Sequence, residues 1–541
     1  MTAAADFGHA FCQLTGNPPF PWQRALYEHF NSGDIPASCN LPTGLGKTSV
    51  IAVWLIALAN RATVPRRLVY VVNRRTVVDQ TTEEVEQYKR QQVADIPDFA
   101  VSTLRGQFAD NREWSADPSR PAVICGTVDM IGSRLLFSGY GVGMKAKPLH
   151  AGFLGQDALL VHDEAHLEPA FQTLIEKIRD EQIRCNDFRP LRVMELTATR
   201  RGIATPFGLT DEDWQHSVVQ KRVTAHKALY LEPIQDANKL AEQLVAKATQ
   251  FVPKNRSVLV FARTVDHVLK VASKLPRDRV VTLTGTMRGK ERDALVEHPI
   301  FRRFLPGGES DEPSVFLVCT SAGEVGVNIS ADHAICDLST FDSMTQRFGR
   351  VNRFGTRRDS QIHIIHPSDF KNDDYDQRRQ RTLQLLRALN RDGSPQSLNQ
   401  LDPQARQAAY APIPPILPAT DILLDAWALT TIKGKLPGRP PVEPYLHGLP
   451  TEWQPPETYV AWRAEVEAIT GDLLAKYDPA ELLDAYPLKP HELLKEPSDR
   501  AFKHFETLAK RRPDGVVWLV DDLGRVEAVT LADLVDKKQK D

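Results

Sequence analysis

Nine short, mostly apolar runs recur between residues 66 and 366, separated by stretches long enough for helices. "RRLVYVV" (66–72), "PAVICGT" (121–127), "ALLVHDEAH" (158–166) and "RVMELTAT" (192–199) form one series. "RSVLVFA" (256–262), "RVVTLTG" (279–285), "SVFLVCT" (314–320), "HAICDLS" (333–339) and "SQIHIIH" (360–366) form another. Continuous apolar runs of this length suit strands buried on both faces, the condition of a parallel sheet covered by helices. The repetition predicts an α/β fold with two doubly wound parallel-sheet domains in tandem. The join is expected near 205–228, where "TPFGLTDEDWQHS" breaks both periods. Past about residue 370, charged helical stretches ("DYDQRRQRTLQLLRALNR", "ILLDAWALTT", "AELLDAY") alternate with proline-rich turns. "GVVWLVDDLGRVEAVTL" then has the pattern of a hairpin. The expected domains are 1–210, 211–370 and a mainly helical accessory domain, 371–541.

Between the N-terminus and the first series lies "NLPTGLGKTS" (40–49), followed by "VIAVWLIALA". Gly44 and Gly46 permit unusual backbone angles and leave room for phosphate oxygens. A helix N-terminus after such a loop favours an anion. Lys47 is placed to reach β- and γ-phosphates and the Thr48 hydroxyl to hold Mg²⁺. The strict phosphate-loop pattern wants glycine at 41, where this chain has Leu41, a strand-end position whose side chain can enter the core.

A loop of this kind needs acids to make it hydrolytic, and "HDEAHL" (162–167) supplies them at the end of an apolar strand. By itself Asp-Glu after a strand is commonly a helix N-cap pair. With the Gly-Lys-Thr loop upstream, Asp163 becomes a metal ligand and Glu164 the group that polarises an attacking water.

Composition narrows the partners. Lys plus Arg number 67 and Asp plus Glu 69, so the chain is not a basic coat for nucleic acid, though a local basic groove is compatible with it. The six cysteines (12, 39, 125, 185, 319, 336) form no C-x-x-C pair, which gives neither a disulfide framework nor a zinc-ligand spacing and points to a reducing cytoplasm. The start "MTAAADFGHAFCQ" lacks the pattern of a signal peptide, and no apolar run is long enough to span a bilayer, so no membrane association is expected.

"LPTGLGKT", "HDEAH", "LTATR" and "QRFGRVNRFG", in this order, resemble motifs I, II, III and VI of superfamily 2 DExH helicases. The resemblance implies RecA-like domains, with ATP and Mg²⁺ as cofactors. It implies nucleotide contacts from Phe20, Gln23, Thr43, Gly44, Gly46, Lys47 and Thr48, and metal ligation by Thr48 and Asp163. Glu164, Gln346, Arg350 and Arg353 would be catalytic, the arginines stabilising transition-state charge across a domain cleft. His166, Thr197 and Thr199 would couple hydrolysis to strand movement. Arg74, Arg75, Arg105, Gly106, Thr127, Arg263 and Thr320 would contact nucleic acid, fixing position without reading sequence. In "CTSAGEVGVNIS", Asn328 stands where many relatives have aspartate.

"VVNRRTVVDQ", "GEVGVN", "GRVNRFG" and "DILLDAWALTT" extend the resemblance to the helicase subunit of type I CRISPR interference, of the I-G (I-U) kind. That family implies a 3′ to 5′ translocase for antiviral defence. It would be recruited to an RNA-guided surveillance complex, load on the displaced single-stranded DNA of an R-loop, and feed an HD nuclease. The only His-Asp pair is His162-Asp163, whose aspartate is already assigned to the nucleotide. The expectation is a motor whose nuclease is a separate or truncated-off domain. The alternatives are a DExH RNA helicase, a nucleic-acid-gated ATPase clamp, and a recruitment module.

Overall fold

The computed structural model describes residues 6–538 apart from 74, 94, 106, 107, 110–112, 140, 141, 143, 144, 198–205, 309–312, 325–327, 432–439, 451–456, 464–472, 474, 475, 479–481, 484–491 and 521–525. Two compact units emerge: residues 1–282 with 302–451, and residues 283–301 with 452–541.

The first unit contains two sheets. Strands β1 (Ser38–Asn40), β2 (Arg67–Val72), β3 (Ala100–Arg105), β4 (Phe108–Ala109), β5 (Ala122–Thr127), β6 (Ala158–Asp163) and β7 (Arg192–Thr197) form one, in the order β1-β7-β6-β2-β5-β3-β4. Its pairs are parallel except β3–β4. Strands β8 (Ala228–Ile234), β9 (Ser257–Phe261), β10 (Val280–Leu283), β11 (Val315–Cys319), β12 (His333–Asp337) and β13 (Gln361–Pro367) form the other, ordered β10-β11-β9-β12-β13-β8. All nine apolar runs are strands, and the tandem doubly wound architecture is present.

Strand side chains alternate between faces, so each run feeds two cores. On one face of the first sheet Leu68, Tyr70, Val123, Leu159 and Val161 pack with the helix Val50–Ala59 and the N-terminal helices Phe7–Thr15 and Pro21–Ser32. Residues Val50–Ala57 are all buried, as expected of a helix apolar on every side. On the other face Val69, Val71, Ile124 and Leu160 pack with the helices Val128–Leu135 and Pro169–Arg184, and with Trp427, Val442 and Leu446.

Those last three residues come from beyond the second sheet, so the region expected as a separate accessory domain divides. Residues 371–451 belong with the motor sheets, and Ala419, Trp427, Val442 and Leu446 complete the core of the first. Gly132 carries no side chain because Leu446 Cδ2 occupies the space a Cβ would need. Arg184 pairs with Asp421 at 3.1 Å, and His447 bridges Asp129 at 2.8 Å and Glu168 at 3.0 Å. The imidazole sits between two carboxylates, whose hydrogen bonds raise its pKa to about 10.

The second unit carries an antiparallel pair, Glu457–Val460 with Leu494–Pro497, the helix Ser498–Ala509, and the predicted hairpin, Val516–Val520 with Val526–Thr530. With the helices Asp374–Arg387, Asp421–Ala428 and Ser498–Ala509, the region beyond residue 370 is helical as expected, and these two strand pairs are added to it. Most of "AELLDAY" lies outside the described residues.

Candidate functional site

A parallel sheet presents the carboxyl ends of its strands along one edge, where ligands meet the loops. The glycine-rich loop leaves β1, Asp163 ends β6 and Thr197 ends β7, and β1, β7 and β6 are neighbours. Leu41, which departs from the strict loop pattern, is fully buried in the sheet core. Gly44 and Gly46 adopt φ of 87° and 75°, the left-handed region that disfavours any side chain. Lys47–Ser49 then form a short 3₁₀ turn leading into Val50–Ala59.

Lys47 Nζ donates to Glu164 Oε1 at 3.2 Å, and Gln346 Nε2, from the second sheet's domain, donates to Glu164 Oε2 at 3.1 Å. His166 Nδ1 lies 3.1 Å from Thr197 Oγ1 and 3.5 Å from Glu164 Oε2. Glu164 itself has φ 52°, a strained value for a residue with a side chain. Burial alone would raise its carboxyl pKa, but Lys47, His166 and Arg350 outweigh that and hold it below the usual range. The acid is thus ionised and gripped from both domains.

Asp163 behaves oppositely. Burial and the neighbouring Glu164 charge push its pKa up to about 6. Its Oδ2 accepts from the Tyr70 hydroxyl at 2.9 Å, and the same hydroxyl is hydrogen-bonded to Thr48. Its Oδ1 is buried and has no side-chain hydrogen-bond partner among the described residues. A bare buried carboxylate oxygen beside a bridged Thr48 is a donor set suited to a hard cation.

The arginines of "QRFGRVNRFG" play different parts. Arg347 is buried in an ion network, 2.8 Å from Glu324 Oε1 and 3.0 Å from Asp337 Oδ1, and ties its helix to the second sheet. Arg350 Nε donates to the Glu324 carbonyl at 2.9 Å. Arg353 lies directly on the phosphate loop: a Cβ on Gly44 would stand 3.2 Å from its Cγ and Nε. Its Nε and one terminal nitrogen are buried without partners among the described residues, and burial together with Arg350 and Arg222 lowers its pKa to about 9. Gly349 packs against Thr43, whose Oγ1 fills the space of a Cβ.

Phe20 caps the helix Pro21–Ser32, and its N–H donates to Gln23 Oε1 at 2.7 Å. Gln23 Nε2 donates to Ser49 Oγ at 2.7 Å, so this buried amide ties the helix to the loop. Thr127, Arg263 and Thr320 stand at or just past the carboxyl ends of β5, β9 and β11. Thr127 and Thr320 cap the turns that follow, and the Arg263 guanidinium stacks 4.6 Å from the Tyr375 ring. Arg75 begins a helix after β2 and Arg105 ends β3. Their side chains, and Arg74, Gly106 and Thr199, lie outside the described residues. Asn328 is exposed.

Residues 254–356, which carry the motif around Arg353, match the family described as "CRISPR-associated nuclease/helicase Cas3, C-terminal". That match covers the second sheet's domain alone. Residues 21–201 match the family "Type III restriction enzyme, res subunit". No curated protein matches the sequence. Among solved structures, T. fusca Cas3 with ADP aligns at TM-score 0.55 and 17% identity over 74% of this chain and 53% of that one. T. fusca Cas3 with AMPPNP gives 0.53 and 17% over 72% and 52%. The DUF1998 helicase MrfA bound to DNA and AMPPNP gives 0.50 and 17% over 73% and 54%. At such identity the likeness concerns fold, and this chain spans about half the length of each relative.

Tyr70, Glu324 and Arg222 shape the site without having been singled out in the sequence. Tyr70 had a faint signal, a hydroxyl inside the buried run "RLVYVV". Glu324 lies inside "CTSAGEVGVNIS", where its role as anchor of Arg347 and Arg350 depends on the fold alone.

Proposed function

We propose that this chain is an ATP-driven translocase on single-stranded DNA, moving 3′ to 5′, which serves an RNA-guided CRISPR surveillance complex. The observation that carries the reading is Glu164, gripped at once by Lys47 of the phosphate loop and Gln346 of the opposite domain. Catalysis of this kind needs both domains closed on one nucleotide. In the proposed mechanism Lys47 exchanges its Glu164 bond for the ATP phosphates, freeing the ionised carboxylate to orient and deprotonate water. Thr48 and Asp163 would hold Mg²⁺, which supplies charge neutralisation at the phosphates when bound. Arg353, with donors unspent and already on Gly44, meets the charge that develops in the transition state. His166 and Thr197, linked beside Glu164, carry the change toward the strand. The loop ends bearing Arg75, Arg105, Thr127, Arg263 and Thr320 take the DNA backbone.

Strand cleavage is assigned to an HD nuclease acting from elsewhere than this motor. The chain's single His-Asp pair supports that assignment: His162 Nδ1 is bonded to Gln172 at 2.8 Å within the core, and Asp163 faces the nucleotide site. The test is steady-state ATP hydrolysis with poly-dT, poly-U or no polymer. Stimulation by poly-dT above poly-U supports the DNA translocase. Stimulation by poly-U alone overturns it in favour of an RNA helicase.

A further inference from the structure

The seven-residue helix Ser217–Val223 joins the two motor domains and belongs to none of the motifs. Its apolar side is spent on the phosphate loop: Val219 and Val223 are buried against Leu45, with Phe20 and Leu209 at the margin. Its other contacts reach the opposite domain. Gly355, at φ 66°, has no room for a Cβ because the Lys221 carbonyl fills that space. Between these two attachments stands Arg222. Its terminal nitrogen donates to the Gly44 carbonyl at 2.7 Å. Its guanidinium lies between two rings, 5.6 Å from Phe20 of the first domain and 5.5 Å from Phe354 of the second.

The same peptide therefore has Arg222 on its carbonyl and Arg353 over its Cα. We propose that Arg222 is a positioning residue of the ATP site. It clamps the phosphate loop to the Phe354–Gly355 turn when the domains close, so that Arg353 meets the γ-phosphate. The inference rests on the ATPase reading above. Arg222 acts through Gly44 and Phe354, and its planar face is needed because it must stack on two rings while donating in its own plane. Opening the cleft would withdraw Phe354 and leave half the clamp, which makes Arg222 a contributor to closure rather than to loop folding alone.

The experiment compares Arg222→Ala, Arg222→Lys, Phe354→Leu and the Arg222→Ala/Phe354→Leu double variant. The readouts are single-turnover hydrolysis at saturating ATP, the Kd for AMPPNP, and Tm. Losing one hydrogen bond and one ring contact should slow hydrolysis about tenfold. AMPPNP affinity should fall far less than the rate. Phe354→Leu should slow the step in the same way, and the double variant should be no slower than the worse single one, because both remove one clamp. Arg222→Lys, which keeps charge and donor without the flat face, should stay slow. Wild-type turnover in Arg222→Ala, defects that multiply in the double variant, or full rescue by lysine would each overturn the proposal. If the unmodified chain neither binds nor hydrolyses ATP, the ATPase reading fails and this inference with it. Normal wild-type hydrolysis that ignores Arg222 sinks this inference alone.

Discussion

Replacing Arg353 with methionine should separate stability from catalysis in a way few substitutions can. The residue is half-buried, its Nε and one terminal nitrogen are buried with no hydrogen-bond partner among the described residues, and Arg350 and Arg222 repel it. A fall in its pKa to about 9 corresponds to roughly 5 kcal/mol of unfavourable environment for the charged form, an upper bound. Exchanging a buried charge for an apolar side chain of similar volume is commonly neutral or stabilising by about 1–4 kcal/mol. Arg353→Met should therefore keep or raise the Tm of the free protein, by about a few degrees. Hydrolysis should fall by roughly 10³, the usual worth of an arginine finger. ATP affinity should change much less, because the guanidinium acts mainly on transition-state charge. Differential scanning fluorimetry and single-turnover hydrolysis on the same preparation test this. A variant that melts early yet turns over normally would show that Arg353 is a packing residue and refute the reasoning.

Glu164→Gln should bind ATP and stall, and ATP should then tighten single-stranded DNA binding in an anisotropy titration; unchanged affinity would mean that closure does not grip DNA. Lys47→Ala should abolish hydrolysis but leave DNA binding near the wild-type level, since the strand contacts are expected on other loop ends; loss of both in a folded variant would join the two sites. His447 has its folded pKa raised from 6.5 to about 10, so its bridge to Asp129 and Glu168 contributes fully below pH 6.5 and fades as pH rises through 10. With the imidazole 39% exposed the bridge is worth only about 1–2 kcal/mol, so the Tm deficit of His447→Gln should be largest near pH 6 and vanish above pH 10.

The sequence made the strands legible because parallel strands buried on both faces need unbroken apolar runs. Four strands of the two sheets escaped for physical reasons. β1 spans only Ser38–Asn40 and β4 only Phe108–Ala109, β3 (Ala100–Arg105) carries Ser102 and Thr103 in its middle, and β8 lies at a sheet edge, where the burial of Ala228–Ile234 is incomplete and no apolar run is required. The phosphate loop and the acids were legible because their chemistry fixes residue types at fixed spacing. Contacts between distant segments were not. Arg222 meets Gly44 across 178 residues, and His447 meets Asp129 across 318. Nothing local to either side chain marks such a meeting. The division of 371–541 was hidden for the same reason, since Trp427 and Leu446 have ordinary helical patterning and only the fold says which core they fill.

Directional strand displacement tests the central claim most directly. Duplexes carrying a single-stranded DNA tail on either the 3′ or the 5′ side are incubated with the chain and ATP, with Lys47→Ala in parallel. The account predicts displacement from the 3′-tailed duplex only, dependent on ATP and lost in Lys47→Ala. Displacement that favours the 5′ tail, or persists in Lys47→Ala, or is absent from both DNA duplexes while ATP is being hydrolysed, would contradict it.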